Sequence, residues 1–294
     1  MKILNLSKIA ILTDSACDIP VELEQKYSID IMPFTITLDG KSYTERVDFT
    51  FDEYYDLLRN AKGTPSTAHV THLQFCEQYC RYVDEGYTDV IHVTINSTGS
   101  ATYDAARMAI NALEEERPGN NLRIHLVDSH TYSMVYGWYV CEAARKIRNG
   151  AEVAPIVEWL KDIFSRNEII LAAYSLKVMK KSGRISAAAA FAGELLGLRP
   201  VISLIDGVTK VESKVRGDAG VLPALVRFAA DHKTEPFEYM IGTTDSSRAE
   251  ELAKLCKKEF GVAPMCIFKL GSAVASNTGP DAIAITYLGK PRKH

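Results

Sequence analysis

The 294-residue sequence is poor in cysteine, with six residues and none of them in a C-x-x-C pair. Reduced thiols in a cytosolic protein fit this usage. Positive charge is not in excess either. The 34 Lys+Arg against 37 Asp+Glu leave a net charge of −3, which excludes a protein whose main task is to grip nucleic acid, because no global cationic surplus displaces counterions. Long apolar runs are missing. The longest apolar region, Ile185 to Ile205, is interrupted by Glu194, Arg199 and Pro200, so no segment is expected to span a bilayer. Ser15-Ala16-Cys17 faintly resembles a lipoprotein cleavage site, but Lys8 breaks the preceding apolar stretch and Asp14 stands where a large apolar residue is needed. No signal peptide is expected. Neither a P-loop nor a dinucleotide G-x-G-x-x-G occurs, so the chain shows no nucleotide site of its own.

What is present is ordinary globular material. A hydrophobic share of 47% and a charged share of 24% allow sizeable cores without metal or disulfide staples. At ~150 residues per domain, the length favours two domains. After a short leader over residues 1–8, Lys8–Leu12 reads as a buried strand, followed by the polar Thr13-Asp14-Ser15 and a helix start at Asp18. A strand is expected over Ile29–Leu38, with a hairpin at Asp39-Gly40 and a return strand Lys41–Thr44. Phe51–Asn60 is a helix, Ala61–Val70 a loop, and Thr71–Gly86 a helix opened by the capping box Thr71-x-x-Gln74. Strands Asp89–Ile95 and Arg123–Val127 alternate with helices over 101–116, 133–149 and 152–166.

This alternation predicts a parallel α/β layer. Three of its strands end in short polar residues before a helix: Thr13-Asp14-Ser15, Asn96-Ser97 and Asp128-Ser129. Open α/β sheets bind ligands beyond the carboxyl ends of their strands, so a polar site is expected at that edge. Beyond residue 166 the pattern changes to strands at Ile169–Tyr174, Tyr239–Thr243, Met265–Leu270 and Ala282–Leu288, with a two-residue hairpin at Asp206-Gly207. Ser247-x-x-Glu250 boxes the start of a helix running to Phe260. The expected division is an N-terminal α/β domain over 9–166 and a C-terminal α+β domain over 167–294.

Several clusters carry candidate chemistry. His69, His72, Cys76 and Cys80 have metal-like spacing, but on one helix they form a single stripe that cannot enclose a tetrahedral ion. No metal site is expected, and the thiols read as small buried hydrophobes. Ser97-Thr98-Gly99-Ser100-Ala101 is a strand-to-helix turn that serves as a helix cap, an anion site or, least well supported, a nucleophile. Asp14 is a turn-and-cap residue or a direct catalytic group. Lys180-Lys181-Ser182-Gly183-Arg184 is a solvated turn or a docking patch for an acidic partner. Ser276-Asn277-Thr278-Gly279-Pro280 is a tight turn whose Asn and Thr could also point into a site.

Together these segments resemble the DegV family of bacterial fatty-acid-binding proteins, from about Lys8 to Leu288. The most specific part is Leu176–Ser186, followed by the 193–201 segment and Asp206-Gly207; Thr13-Asp14-Ser15-x-x-Asp18 and Val127-Asp128-Ser129 with Gly137 are similar to further family elements. The resemblance implies an α/β fold of two domains. The first is a mostly parallel sheet domain, the second has a largely antiparallel sheet, and a lipid tunnel lies between them. It also implies a cytoplasmic, monomeric carrier with no catalytic residue and no cofactor beyond a bound fatty acid. Such carriers present the fatty-acid carboxylate to a separate ATP-dependent fatty acid kinase, which makes the acyl phosphate.

By the same resemblance Thr67 and Ser100 match carboxylate-binding hydroxyls, the Ala101 N–H matches a glycine amide, and Asn277 stands where the family has histidine. Ser97 and Gly279 are possible further site residues, and Arg184 matches an arginine associated with kinase docking. It is expected on the surface rather than in the pocket wall. Ala68, His69 and Val70 replace Ser, Gln and Pro of the family pattern, Asp281 replaces a glycine, and Ser182 replaces the second glycine before Arg184. The rival expectation is a small-molecule hydrolase or transferase using Ser97, Ser100 or Asp14. It lacks a general base at recognisable spacing, since His92 and His125 lie within strands. A third is a regulatory interaction protein with a vestigial tunnel.

Overall fold

The computed structural model describes residues 8–189 and 197–292. The leader up to Ser7 and residues 190–196, which include the start of the 193–201 segment, lie outside the described residues.

The first sheet is parallel, with strand order β2-β1-β6-β7. Its strands are β1 (Ile9–Asp14), β2 (Ile29–Met32), β6 (Asp89–Thr94) and β7 (Arg123–Asp128). Ile11 pairs with both Ile29 and Ile91, so β1 is central. β6 is buried along its whole length, as expected of a strand covered by helices on both faces. The strand expected over 29–38 divides at Pro33. Proline offers no N–H to a ladder, and the chain leaves the parallel sheet there. Its second half, β3 (Thr35–Leu38), builds a separate antiparallel sheet with β4 (Lys41–Thr44) and β5 (Ser66–Ala68). β5 lies in the span expected to be loop.

Helices α1 (Val21–Tyr27), α2 (Phe51–Asn60), α3 (His72–Asp84), α4 (Thr102–Glu116), α5 (Met134–Arg148) and α6 (Val153–Phe164) surround this half. The Thr71/Gln74 capping box forms as its sequence predicts, and a second box joins Thr50 and Glu53. Asp18 does not start α1, whose N-cap is Pro20. It ends a 3-10 turn over Ser15–Cys17 in left-handed conformation, with its side chain turned inward.

The second sheet has the order β10-β9-β8-β13-β11-β12 and only its β11–β12 pair is parallel. It comprises β8 (Asn167–Ala173), β9 (Leu198–Ile205), β10 (Val208–Arg216), β11 (Tyr239–Thr243), β12 (Ile267–Lys269) and β13 (Ala282–Leu288). The short α7 (Met179–Ser182) and α8 (Ser186–Ala189) follow β8; α9 (Val221–His232), α10 (Ser246–Phe260) and α11 (Ser272–Thr278) complete the chain. The cap of α10 is Asp245, which accepts from Ser247 N and Arg248 N, rather than the expected Ser247/Glu250 box.

Of residues 276–280, expected as a tight turn, 276–278 are instead the end of α11 and Gly279 is its cap. Ser276, Asn277 and Thr278 each hydrogen-bond the carbonyl four residues back. These polar types favour turns in sequence because they compete for backbone groups; inside a buried helix they bond its own carbonyls instead.

Strand alternation gives the second sheet two different faces. Ile170, Ala172, Ile241, Ile283 and Ile285 form a core with α9 and α10. Ile169, Leu171, Met240, Ala282 and Ala284 join the large cluster that also holds Ile11, Leu12, Ile91 and Val93 of the first sheet. One core therefore runs between the two sheets.

Within that core, Gly137 on α5 lies against the Ser15–Cys17 turn. A Cβ there would stand 2.2 Å from the Cys17 carbonyl oxygen. Gly137→Ala is expected to destabilise the fold by about 1–3 kcal/mol through overpacking, despite the ~1 kcal/mol helix-propensity advantage of alanine. Urea unfolding of the variant measures the sign; an increase in stability would show that α5 does not pack this closely.

Candidate functional site

The second sheet, α11 and the carboxyl edge of the first sheet enclose a cavity of about 410 Å³, within the range of small-molecule sites. Much of its lining is apolar: Ile169, Leu171, Leu204, Phe268 and Ala284 from the second sheet and Val135 from α5. Polar groups come from other elements. Thr67 comes from β5, Ser97, Ser100 and Ala101 from the turn after β6, Asn277 from α11, and Arg184 from the segment after α7.

Six of the seven predicted site residues thus line one cavity although they are far apart in sequence. Gly279 does not line it. It terminates α11 at φ 90° and faces Val178, so its part is to end the helix that carries Asn277. Arg184 is exposed, as expected, but it also lines the cavity, against the expectation that it stands clear of the pocket wall.

The turn at 96–101 is held by Asn96. Its carbonyl accepts from Gly99 N and Ser100 N, and its Oδ1 accepts from the Thr98 amide and hydroxyl. Asp128 at the end of β7 accepts from Ser97 N at 3.1 Å and His130 N at 2.9 Å. The first amides of the turn are therefore occupied, and a carboxylate already stands at Ser97. Anion binding must use what remains further along. Ser100 Oγ shares a hydrogen bond with Thr102 Oγ1, and the Ala101 N–H has no acceptor among the described residues. The Asn277 amide spends one hydrogen on the Ala273 carbonyl and has a second.

The Asp206-Gly207 hairpin tip closes over the same turn. A Cβ on Gly207 would meet Thr98 Oγ1 at 2.1 Å. Thr209 behind the tip bonds Ser186 Oγ and Ala187 N, fixing the segment that carries Arg184.

Several polar lining residues were not among the sequence candidates, among them Tyr132, Asp104 and Ser133. Asn96 Nδ2 donates to the Tyr132 hydroxyl oxygen across the turn at 3.1 Å. Asp104 lies in the first turn of α4. His69 enters the sequence reading with His72, Cys76 and Cys80 and as a replacement in the 67–71 family pattern, but not as a site residue. It lies in the cavity wall, bonded through Nδ1 to the Val70 carbonyl, whereas the other three follow α3. Its signal was its position two residues after Thr67. Among the described residues no group of three or more His, Cys, Asp or Glu could hold a metal ion.

Behind the cavity sit three fully buried carboxylates, Asp14, Asp18 and Glu45. Asp14 accepts from Ile95 N, Ala16 N and Tyr136 OH. Asp18 accepts from Ser133 Oγ and from Gly271 N at 2.7 Å, and Glu45 from Ser15 Oγ and from Ala273 N at 2.6 Å. Burial pushes the Asp14 carboxyl up to about 6, against the pull of its three donors. Burial likewise raises Asp18, reinforced by the Glu45 charge, and raises Glu45. Asp14 is thus a structural acceptor that does not line the cavity.

Comparison with known proteins agrees with this architecture. The family model described as "Uncharacterised protein, DegV family" matches residues 8–290. A DegV domain-containing protein of Caldanaerobacter subterraneus is 29% identical over 97% of this chain and all of its own length. Among solved structures, the stearic-acid-binding protein of Eubacterium ventriosum superposes with a TM-score of 0.84 at 24% identity, covering 97% of this chain and 99% of its own. A fatty-acid-binding DegV family protein of Streptococcus agalactiae gives 0.82 at 27% identity, covering 97% and 100%.

The buried acids make a signed prediction. A carboxyl whose folded pKa of about 6 exceeds its ordinary 3.8 contributes stability that is present at low pH and lost as pH rises through the folded value. Asp14→Asn cannot ionise, although it forfeits one acceptor. Relative to the parent, its urea midpoint is expected to improve steadily from about pH 4 to about pH 7. A difference between the two that does not change with pH would contradict the raised pKa.

Proposed function

This chain belongs to the DegV family, and from that membership and the chemistry of its cavity we propose that it is a non-catalytic carrier of one long-chain fatty acid. The observation that carries the proposal is the mixed lining of the cavity. Hydroxyl, amide and guanidinium groups come from four separate segments, while the second sheet contributes side chains that are apolar except for Thr286. Such a lining suits an amphiphile with a small anionic head. Each buried methylene contributes ~0.8 kcal/mol, so ten of them contribute about 8 kcal/mol before the costs of association. The carboxylate needs donors to avoid a burial penalty; Thr67, Ser100, the Ala101 N–H and Asn277 are the proposed set. The fatty-acid ligands named for the Eubacterium and Streptococcus proteins support the same ligand class.

The carrier presents this carboxylate to a separate ATP-using kinase, which forms the acyl phosphate. Arg184 supports the presentation step because it is both exposed and part of the cavity lining, at a place where a partner would meet the head group. The domains divide near residue 166, and the chain works as a cytoplasmic monomer whose six unpaired thiols suit a reducing compartment. A hydrolase reading has less support. Among the described residues neither Ser97 nor Ser100 hydrogen-bonds a histidine.

Removing one donor from a buried carboxylate forfeits roughly 1.5–3 kcal/mol. Ser100→Ala and Thr67→Val are each expected to weaken oleate binding about 10- to 100-fold, with little change in urea midpoint. Unchanged affinity in either variant would place the carboxylate elsewhere.

Arg184→Glu separates holding from presenting. With a fatty acid kinase and ATP, acyl phosphate formation is expected to collapse, since like charges across an interface cost several kcal/mol. Oleate affinity is expected to fall far less. Equal losses of both would make Arg184 a carboxylate ligand instead of a docking residue.

A further inference from the structure

Among the described residues of the second sheet that line the cavity, one is polar. Thr286 on β13 is 1% exposed, lines the cavity, and its Oγ1 has no hydrogen-bond partner among the described residues. It points to the same face as Ala282 and Ala284, and its neighbours across the strands are Ile169 and Met240. Other buried hydroxyls of the lining are satisfied: Ser133 bonds Asp18 and Thr278 bonds the Val274 carbonyl. A buried hydroxyl without a partner is uncommon and calls for an explanation. A trapped water is a poor one, because a water needs two to four polar partners and the residues flanking Thr286 on that face of the sheet are Ile169, Met240 and Ala284. Valine would fill the position without leaving a polar atom unbonded.

Resting on the carrier reading above, we infer that Thr286 is a specificity residue for an acyl chain that carries a hydroxyl group in its interior. Its position sets the placement of that group. Thr286 is four strand residues beyond Ala282, or roughly 13 Å along β13. Ala282 in turn follows closely on Asn277 and the end of α11. The matching hydroxyl therefore lies well along the chain, separated from the carboxylate by a stretch of methylenes. A hydroxyl both donates and accepts, so it satisfies Thr286 in either orientation. A plain saturated chain leaves both the threonine hydroxyl and the site unimproved.

The test compares stearate, oleate and a series of hydroxystearates differing only in hydroxyl position, bound to the full chain and to Thr286→Val. One positional isomer is expected to bind the parent about tenfold more tightly than stearate. Thr286→Val is expected to abolish that preference and leave stearate binding intact, while Thr286→Ser keeps the preference. The inference fails if no isomer outbinds stearate in the parent, or if the preference survives in Thr286→Val. It also fails if oleate is the ligand whose advantage the substitution removes, because the partner would then be a double bond. Failure of stearate and every other chain to bind is a different result, which overturns the carrier reading itself.

Discussion

The structure depends on a set of buried carboxylates that hold α11 in place. Gly271 N and Ala273 N, at the start of that helix, donate to Asp18 and Glu45 from the amino-terminal half of the chain. The first amides of a helix have no partner within it, so acceptor and helix stabilise one another. The fit is close. A Cβ on Gly271 would lie 1.9 Å from Asp18 Oδ1. From α2, Tyr54 and Tyr55 reach Ser276 and the Leu270 carbonyl. Both ends of the cavity wall formed by α11 are therefore fastened to residues more than two hundred positions earlier.

This arrangement explains why the site can be both polar and dry. The polar part is assembled from chain segments whose own backbone needs are largely met: Asn96 and Asp128 satisfy the turn at 96–101, and Asp18 and Glu45 satisfy the head of α11. What is left over is a small number of hydroxyls and amides directed at the cavity. The apolar part is simply one face of a β-sheet, whose alternate residues are already committed to a second core with α9 and α10. A cavity between such faces requires no further polar groups, which is why Thr286 stands out within it.

Much of this was legible in the sequence. Apolar strands ending in Asp or Ser before a helix marked the carboxyl edge where the site lies, and the Thr71/Gln74 box formed as written. Resemblance to a family brought Thr67, Ser100, Ala101 and Asn277 together, which spacing alone could not do, because their proximity is created by the packing of α11 on the first half. The misses have physical causes. Pro33 divided what pattern suggested was one strand. The run Ser276-Asn277-Thr278 looked like a turn because nothing local reveals that burial will drive those side chains onto helix carbonyls. Asp18 looked like a helix cap, yet its partner, Gly271, is 253 residues away. Arg184 looked like surface and is also cavity wall, a distinction that depends on the Thr209 contact from the neighbouring hairpin.

Occupancy of the cavity between the sheets is the property that decides whether this protein carries a fatty acid. Native mass spectrometry of the purified chain, set beside the same sample under denaturing conditions, measures it directly. The account predicts a native mass exceeding the bare chain by one fatty acid, with the excess lost on denaturation. A native mass equal to that of the bare chain, unchanged after incubation with oleate and with saturated fatty acids, would contradict it.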